Sequence, residues 1–523
     1  MPGSNPNLDR AMAPARPLAS GSLLPVVLTA LTLASPALAD SPQVHHHPNG
    51  APWNHRVDRG PDAEVPGWFY NLGITGLRVE LVDEAPSHLF VRHVFEDTPA
   101  DGKVRVGDRI TGAGGSVFTE GHRNGYGMDV FGAHGPIAAF AAALEAAQTS
   151  DGRGRLPLTL LREGRTVEVE LRVGRAYGAF AAEFPTDCAK SERIIEELCD
   201  YLVEHQRGDG SWGSTTQDTF APLALMATGK RKYRAAIKRS AEFHAGHTST
   251  EDDSGLVNWK YMAAAIVLSE YSLQTGESWV LPELEEIYAF LCTTQYLDMA
   301  QVKSSVRESH PDSWPTDPME QHGGWGHNPG FEGYGPIAMI TAQGALAFAM
   351  LKHCGLEVDR ARHDAAYAFL ERASGANGYV WYEDQAAGDE NWADPGRTGA
   401  AAAAYFLSPW PESSYATRAA LHAACIGAHP QSFPDTHGSP PMGMGYVAMA
   451  AAHAPDAYRA LMDANRWWFA LAQCPDGSYY YQPNRDNAGY GPDARIKMSA
   501  VTAFILQAPQ QTLHVTGKLL PRD

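Results

Sequence analysis

The chain is poor in basic residues. Its 523 residues contain 41 Lys and Arg against 60 Asp and Glu, which gives a formal net charge of −19. Because phosphate backbones and anionic lipid surfaces are bound through basic patches, this balance argues against a nucleic-acid partner and against docking on an anionic membrane. Hydrophobic residues make up 44% and charged residues 19%, which is typical of globular domains.

Long apolar runs are also scarce. No segment after the N-terminus has the ~18 uninterrupted apolar residues of a membrane span. The N-terminus has a basic start, a short apolar run over Leu23–Leu33 and the small-residue pattern of Ala37–Ala39. This order is typical of a signal peptide. We therefore predict that residues 1–39 are removed before Asp40 and that the mature protein is secreted or periplasmic.

Cysteine is rare, and ligand spacings for metals are missing. The six cysteines form no Cys-x-x-Cys pair, which argues against a zinc knuckle or a thioredoxin-like site. An even number of cysteines in an exported protein is compatible with disulfides, and buried free thiols are an equal alternative. His244 and His247 share a helix face but have no third ligand nearby in sequence. We predict no metal site and no cofactor.

The first folded region follows a linker at 40–64 that is rich in Pro, His, Asp and Gly. Residues alternate with a period of two in Leu77–Leu81 and Leu89–Val94, as in half-buried strands. A helix with one apolar stripe begins at Pro136, and two closing strands follow it. These patterns predict a small α+β domain over 65–175.

Three short motifs in this region carry a family resemblance. The run Leu72–Thr75 before a strand, then Thr98-Pro99-Ala100, then Val106–Ile110, resembles a bacterial PDZ domain. The resemblance implies that the domain binds a peptide or protein C-terminus by strand addition along Leu77–Leu81. The peptide-binding residues that it implies are the loop residues Leu72, Gly73, Ile74 and Thr75, whose N–H groups face a carboxylate, and His134 beside the helix.

The second region, 185–510, alternates between two kinds of helix. Amphipathic helices such as Ser191–Gln206 are followed by helices made of small and apolar residues, such as Ile337–Leu351. A helix that is apolar on nearly all sides is buried on all sides. Six helices of each kind predict an (α/α)6 toroid with the small-residue helices inside, an open solenoid being the alternative. We interpret 511–523 as a tail.

A turn motif recurs within this region. Gln206-x-x-Asp209-Gly210-Ser211-Trp212 returns as Gln473 to Tyr479, with partial copies at Gly323–Gly326 and Gly375–Tyr379. Asp-Gly makes the turn, the Gln side chain bonds the carbonyls that end the helix, and the aromatic ring packs back on the helices. The motif resembles the repeats of the terpenoid cyclase and protein prenyltransferase superfamily, which implies the toroid fold. The cyclase acid motif Asp-x-Asp-Asp is incomplete here, since Thr250–Asp253 lacks its first Asp.

Loop lengths predict where a site would lie. The connections from amphipathic to small-residue helices are long and fall at one end of the ring, where the small-residue helices begin. Helix N-termini favour anions, and Arg397 at one of them is placed to clamp a carboxylate or phosphate. The catalytic candidates are Asp252, Asp253, His327, Asp384 and His437. The ligand-binding candidates are Trp212, Trp325, Tyr334, Trp381, Arg397 and Tyr479.

Three functions remain open from the sequence. The first is a binding protein, with a peptide at the PDZ-like domain and a small molecule or glycan in the toroid. The second is a glycan hydrolase or lyase that uses carboxylates in the toroid mouth, which needs carboxyl pairs at ~5–9 Å. Terpenoid cyclisation comes last because its acid motif is incomplete. The sequence therefore does not decide whether the protein is an enzyme.

Overall fold

The structure is a computed structural model that describes residues 68–82, 84–122, 133–175, 177–248, 255–309, 314–331, 335–410, 412–434, 440–480, 482 and 492–519. The predicted signal peptide, the predicted linker and several predicted site residues lie outside these ranges. Across the described ranges, every helix is too short or too polar to cross a bilayer.

The first domain is an antiparallel sheet with one helix. Its strands follow the order β1-β2-β3-β4-β6-β7, and β5 pairs only with β4. Helix α1 packs against β4 and β6. The strands predicted from period two are confirmed, and the structure adds β1 and β5. The elements are β1 Trp68–Asn71, β2 Leu77–Leu81, β3 Leu89–Val94, β4 Arg109–Ala113, β5 Ser116–Val117, α1 Pro136–Gln148, β6 Arg155–Arg162 and β7 Arg165–Arg172.

The second domain is all-helical and consists of six pairs of helices. In each pair an outer amphipathic helix precedes an inner one, as predicted. The outer helices are α2 Ala189–Glu204, α4 Arg234–Gly246, α6 Leu281–Thr294, α9 Arg360–Arg372, α11 Ser413–Ala428 and α13 Pro455–Ala472. The inner helices are α3 Thr215–Ala227, α5 Val257–Thr275, α8 Ala338–His353, α10 Gly396–Leu407, α12 Pro440–Ala451 and α14 Pro492–Gln507, and a short helix α7, Ser304–Ser309, lies in the loop before α8.

The inner helices form a closed ring. Each contacts the next in the order α3, α5, α8, α10, α12 and α14, and α14 returns to contact α3. This last contact distinguishes a toroid from an open solenoid, so the predicted (α/α)6 fold is confirmed.

Small side chains allow the inner helices to approach closely. The five consecutive alanines Ala400–Ala404 of α10 are fully buried. A Cβ atom on Gly399 would lie 2.6 Å from the backbone of Val447 in α12, which is far closer than van der Waals contact. The small-residue composition is therefore a packing requirement of the ring, since larger residues would force adjacent inner helices apart.

The aromatic side chain of the recurring turn makes the same hydrogen bond in three of the copies. The side chains of Trp212, Trp325 and Tyr479 donate to the carbonyls of Leu202, Leu291 and Phe469 in the preceding outer helices, at 2.7, 3.0 and 3.0 Å. The Gln prediction needs correction. The Gln206 amide donates to the carbonyls of Gly210 in the turn and Ala236 in the next outer helix, so it does not cap its own helix. In this copy the Gln206 side chain thus joins two neighbouring outer helices.

The sheet domain packs against the last outer helix, and this changes the interpretation of its loop. Strand β2 pairs with β1 on one edge and with β3 on the other. The loop residues Leu72–Thr75 are buried, and a Cβ atom on Gly73 would lie 2.6 Å from the Ala470 carbonyl oxygen of α13. The expectation that β2 pairs with a peptide is therefore wrong, because both of its edges are occupied within the chain. His134 is half-buried just before α1.

The connection between the domains bridges the first and last outer helices. Lys190 of α2 is buried and donates to Glu145 and Gln148 of α1, at 2.7 and 2.9 Å. Arg466 of α13 donates to the carbonyls of Phe180 and Ala181 in the connecting segment, at 3.2 and 2.8 Å. The sheet domain therefore holds both sides of the place where the ring closes.

The residues predicted as a tail pack into the ring. Glu270 of α5 is fully buried and accepts hydrogen bonds from the backbone N–H groups of His514 and Val515, at 2.9 and 3.0 Å, and from the His514 ring at 3.1 Å. The Gln274 side chain also donates to Glu270, at 2.7 Å. Residues 513–516 are buried, so this segment is part of the helical domain.

The turn motif generates a stability prediction. Gly378 has φ +86°, and a Cβ atom there would lie 2.5 Å from the Leu421 carbonyl oxygen in the next outer helix. Gly355 has a similar φ of +91° but open space around it. We expect Gly378→Ala to lower the free energy of unfolding by about 2–4 kcal/mol, from backbone strain and a clash together. Gly355→Ala should cost only about 1 kcal/mol, from strain alone.

Urea unfolding followed by far-ultraviolet circular dichroism compares the two variants directly. Equal losses of stability in both would show that the approach of the turn to the next outer helix contributes nothing.

Candidate functional site

A cavity of about 360 Å³ opens at the end of the ring where the inner helices begin. All six inner helices contribute lining residues from their N-caps or first two turns. Loop residues from the long connections complete the wall. The described lining consists of Ser214, Thr215, Thr216, Leu256, Trp259, His327, Ile337, Met339, Tyr382, Asp394, Gly396, Arg397, Met442, Gly443 and Lys497.

The helix ends give this cavity a positive potential. Each α-helix N-terminus carries roughly half a positive charge, and six such ends surround one opening. At α3, α5, α8 and α10, the N-cap side chain bonds no N–H group of the first turn. Loop groups accept hydrogen bonds from some of these N–H groups. The Val257 N–H donates to the Asn328 side chain, and the Ala338 N–H donates to the Tyr382 carbonyl.

Arg397 lies in the cavity wall, and its guanidinium is held by neighbouring groups. It is buried and donates to Asp394 at 2.5 Å, to the Tyr379 hydroxyl at 2.9 Å and to the Val380 carbonyl at 3.3 Å. Burial acts to lower the pKa of Arg397, but Asp394 and Tyr379 outweigh it, so the pKa is raised. The guanidinium also lies 5.9 Å from the ring centre of Trp381. Arg397 is therefore a fixed, charged group at the mouth.

His327 is oriented by a tryptophan. The Trp259 indole N–H donates to Nδ1 of His327 at 2.8 Å, and the two rings stack. An Nδ1 that accepts a hydrogen bond carries no proton, so neutral His327 has its proton on Nε2. The cavity therefore contains an imidazole in one defined tautomer, which can donate from Nε2 or transfer a proton there.

Aromatic side chains fill the lumen between three of the inner helices. Phe220 of α3 contacts Tyr446 of α12 and Phe504 of α14, with ring centres 5.5 and 5.2 Å apart. The Tyr446 hydroxyl donates to Gln343 of α8 at 3.1 Å. These four side chains are almost completely buried. The cavity is thus confined to the mouth, and it does not continue as a deep channel through this packed centre.

The structure brings two of the predicted site residues into the cavity wall, His327 and Arg397, with Trp381 beside Arg397. Trp212, Trp325 and Tyr479 are fully buried in the turn motif and do not line the cavity. Asp384 is bound by Arg372 through two hydrogen bonds, at 3.1 and 3.0 Å, also away from the cavity. Asp252, Asp253, Tyr334 and His437 lie outside the described residues.

Sequence reasoning missed several lining residues, including Trp259, Met339, Asp394, Met442 and Lys497. All but Asp394 stand within the first two turns of inner helices, and Asp394 lies just before one. The signal that would have found them was available. Inner-helix N-termini were predicted to meet at one mouth, so the residues that begin those helices were the ones to examine.

A buried carboxyl beside this end of the ring generates a pH prediction. Asp218 of α3 accepts a hydrogen bond from the Trp212 N–H at 2.5 Å, and burial raises the pKa of Asp218 to about 6. Because the folded state then holds the proton more tightly than the unfolded state, Asp218 contributes stability at low pH that is lost as pH rises from about 4 to 6. The wild-type minus Asp218→Asn difference in unfolding free energy should fall by about 2 kcal/mol across that window.

Chemical denaturation at pH 4.5 and pH 7 measures this difference. Asp209→Asn is the control of opposite sign, because hydrogen bonds from Ser211 lower the pKa of Asp209. A difference between wild type and Asp218→Asn that does not change with pH would contradict the prediction.

Similar solved structures share the toroid architecture only distantly. An α-1,6-mannanase of family GH76 from Salegentibacter sp. HEL1_6 has 11% identity and a TM-score of 0.45, covering 61% of this chain and 99% of its own. The type II terpene cyclase MstE from Scytonema has 13% identity and a TM-score of 0.39, covering 61% and 98%. A glycosyl hydrolase of family 88 from Bacteroides vulgatus has 10% identity and a TM-score of 0.39, and the match covers 61% of this chain and 99% of the hydrolase. Likenesses this distant carry no inference about substrate.

No curated protein matches this sequence. A family model does match, described as the domain of unknown function DUF6288, over residues 191–517. The matched range runs from the first outer helix through all six pairs to the segment that binds Glu270. The chain therefore belongs to the DUF6288 family.

Proposed function

We propose that the helical ring binds a small molecule with an apolar body and an anionic group at its mouth. The observation that carries this proposal is the convergence of six inner-helix N-termini on one cavity that also contains Arg397 and Lys497. Helix dipoles and fixed cations both stabilise a negative charge there. Asp394 offsets the charge of Arg397, and the helix ends add their partial positive charges at the same mouth.

The apolar part of the wall favours a ligand with an apolar body. Leu256, Ile337, Met339 and Met442 lie between the polar groups, and the Trp259 and Tyr382 rings add flat surfaces. Methionine side chains adapt to ligand shape, and aromatic rings bury much apolar area. A volume of about 360 Å³ lies at the lower end of the range for ligand pockets. It fits a compact ligand better than a long isoprenoid chain.

The described wall favours binding over glycan hydrolysis. Glycoside hydrolysis needs two carboxyl groups that flank the bond to be cut. Among the described lining residues, Asp394 is the one carboxylate, and it is paired with Arg397. His327 gives the site a group for hydrogen bonding or proton transfer, but an acid–base pair of carboxylates is not present in this part of the wall.

Calorimetric titration with decanoate and with decanol tests the proposal. The two probes have the same chain length and differ in charge. We expect decanoate to bind with at least about tenfold higher affinity, because the neutral alcohol cannot use the positive potential of the helix ends. Lys497→Met should weaken decanoate binding by about tenfold and leave decanol binding unchanged.

Lys352→Met is the matched control, since Lys352 stands in the last turn of α8, at the opposite end of an inner helix. Equal affinity for the two probes would refute the anionic part of the proposal. Mass spectrometry of molecules that co-purify with the protein then identifies the natural ligand class.

A further inference from the structure

A second cavity lies at the other end of the ring, between the C-terminal ends of α3 and α5 and the start of α4. Its volume is about 390 Å³. Three cations line it, Lys230, Arg234 and Lys238, and Glu277 is the one carboxylate in its described wall. Apolar and polar groups form the rest, namely Leu225, Met226, Gly229, Ile237, Tyr271, Gln274 and Thr275.

The cations of this cavity stand out against the acidic chain. Five of the nine residues from Lys230 to Lys238 are Lys or Arg, whereas the whole protein has a net charge of −19. Lys230 makes one exposed ion pair, with Glu196 at 3.1 Å. Within the described part of the chain, Arg234 and Lys238 have no ion-pair partner. Neither Arg234 nor Lys238 is held in a close ion pair, although Lys238 lies near enough to Glu277 to help lower the pKa of that carboxyl.

The carboxylate in the wall is already engaged. Glu277 accepts hydrogen bonds from the Tyr271 hydroxyl and the Trp279 indole N–H, both at 2.7 Å. Because Lys230 is paired with Glu196, Arg234 and Lys238 face Glu277 as the one remaining carboxylate, and this leaves an excess of positive charge around the cavity. An anionic group such as phosphate complements this excess.

The dipole of α4 itself does not explain these cations. The other five outer helices have an acidic residue at the N-cap or in the first turn, which their dipoles favour; these are Glu192, Glu283, Asp359, Glu412 and Asp456. Helix α4 instead begins at Arg234, and no acidic residue lies in its first turn. Cations at a helix N-terminus are unfavourable. The start of α4 is therefore an unfavourable position for Arg234, whereas the C-terminal ends of α3 and α5 beside the cavity favour cations.

We propose that this cavity binds the phosphate group of a phosphorylated ligand, with Arg234 and Lys238 as its principal contacts. Arg234 supplies the planar fork that suits phosphate oxygens, and Lys238, one turn later on α4, supplies a second charge from the same face. Gln274 and Thr275 add neutral polar groups to the wall, and their side chains donate to other groups of the chain. This site is separate from the mouth, so it does not depend on the function proposed there.

Calorimetric titration of the full chain with inorganic pyrophosphate tests the site, and vesicles of phosphatidic acid in phosphatidylcholine test a lipid source of the same group. The key variant is Arg234→Gln with Lys238→Gln. The matched control is Arg231→Gln with Lys232→Gln, which removes the same charge from neighbouring positions outside the cavity wall. Far-ultraviolet circular dichroism checks that both variants stay folded.

We expect one-to-one binding of pyrophosphate by the wild type, at least about tenfold weaker in the key variant and within about twofold of wild type in the control. Vesicle binding that follows the same pattern without pyrophosphate binding would also support the site and assign the phosphate to a lipid headgroup. Equal loss in both double variants would overturn the proposal, because it would show only a diffuse charge effect. Binding of neither probe would overturn it as well.

Discussion

The contact between α14 and α3 is the constraint on which the rest of the structure depends. It joins the last inner helix to the first and makes a closed ring from six pairs. Closure brings inner helices close together, and small residues such as Gly399 of α10 stand where the approach is closest. It also directs all inner N-termini to one end, so the positive potential of the mouth is a consequence of the topology.

The sheet domain belongs to this closure. Lys190 ties the first outer helix to α1, while Arg466 ties the last outer helix to the connecting segment. A buried lysine without its carboxylate would be costly, so this contact fixes one orientation of the domain. The PDZ-like interpretation remains a prediction, yet the groove that it implied is filled by β1 and by the approach of α13. In this arrangement the sheet domain makes its contacts with other parts of the same chain.

Sequence patterns predicted the helices well and the site only in part. Hydrophobic periodicity and composition distinguish inner from outer helices, because a helix buried on all sides contains few charged residues. Ala400–Ala404 is an example of such a segment. Aromatic residues of the turn motif, such as Trp212, were expected to contact a ligand. Instead the Trp212 indole N–H donates to the preceding outer helix. The sequence alone does not distinguish a Trp buried in the fold from a Trp that lines a cavity, because the difference lies in contacts with residues distant in sequence. Strand β1 escaped notice because four residues are too few to show a period.

The segment bound to Glu270 has a further consequence for how the domain is assembled. Glu270 and His514 are 244 positions apart, and the carboxylate has its hydrogen bonds from His514 and Val515 only when both parts of the chain are in place. Before that it must keep its hydration shell, because an isolated carboxylate is too costly to enclose. Water therefore has to remain at this end of α5 until the segment arrives, and the drying of that end is coupled to the final joining of distant parts of the chain.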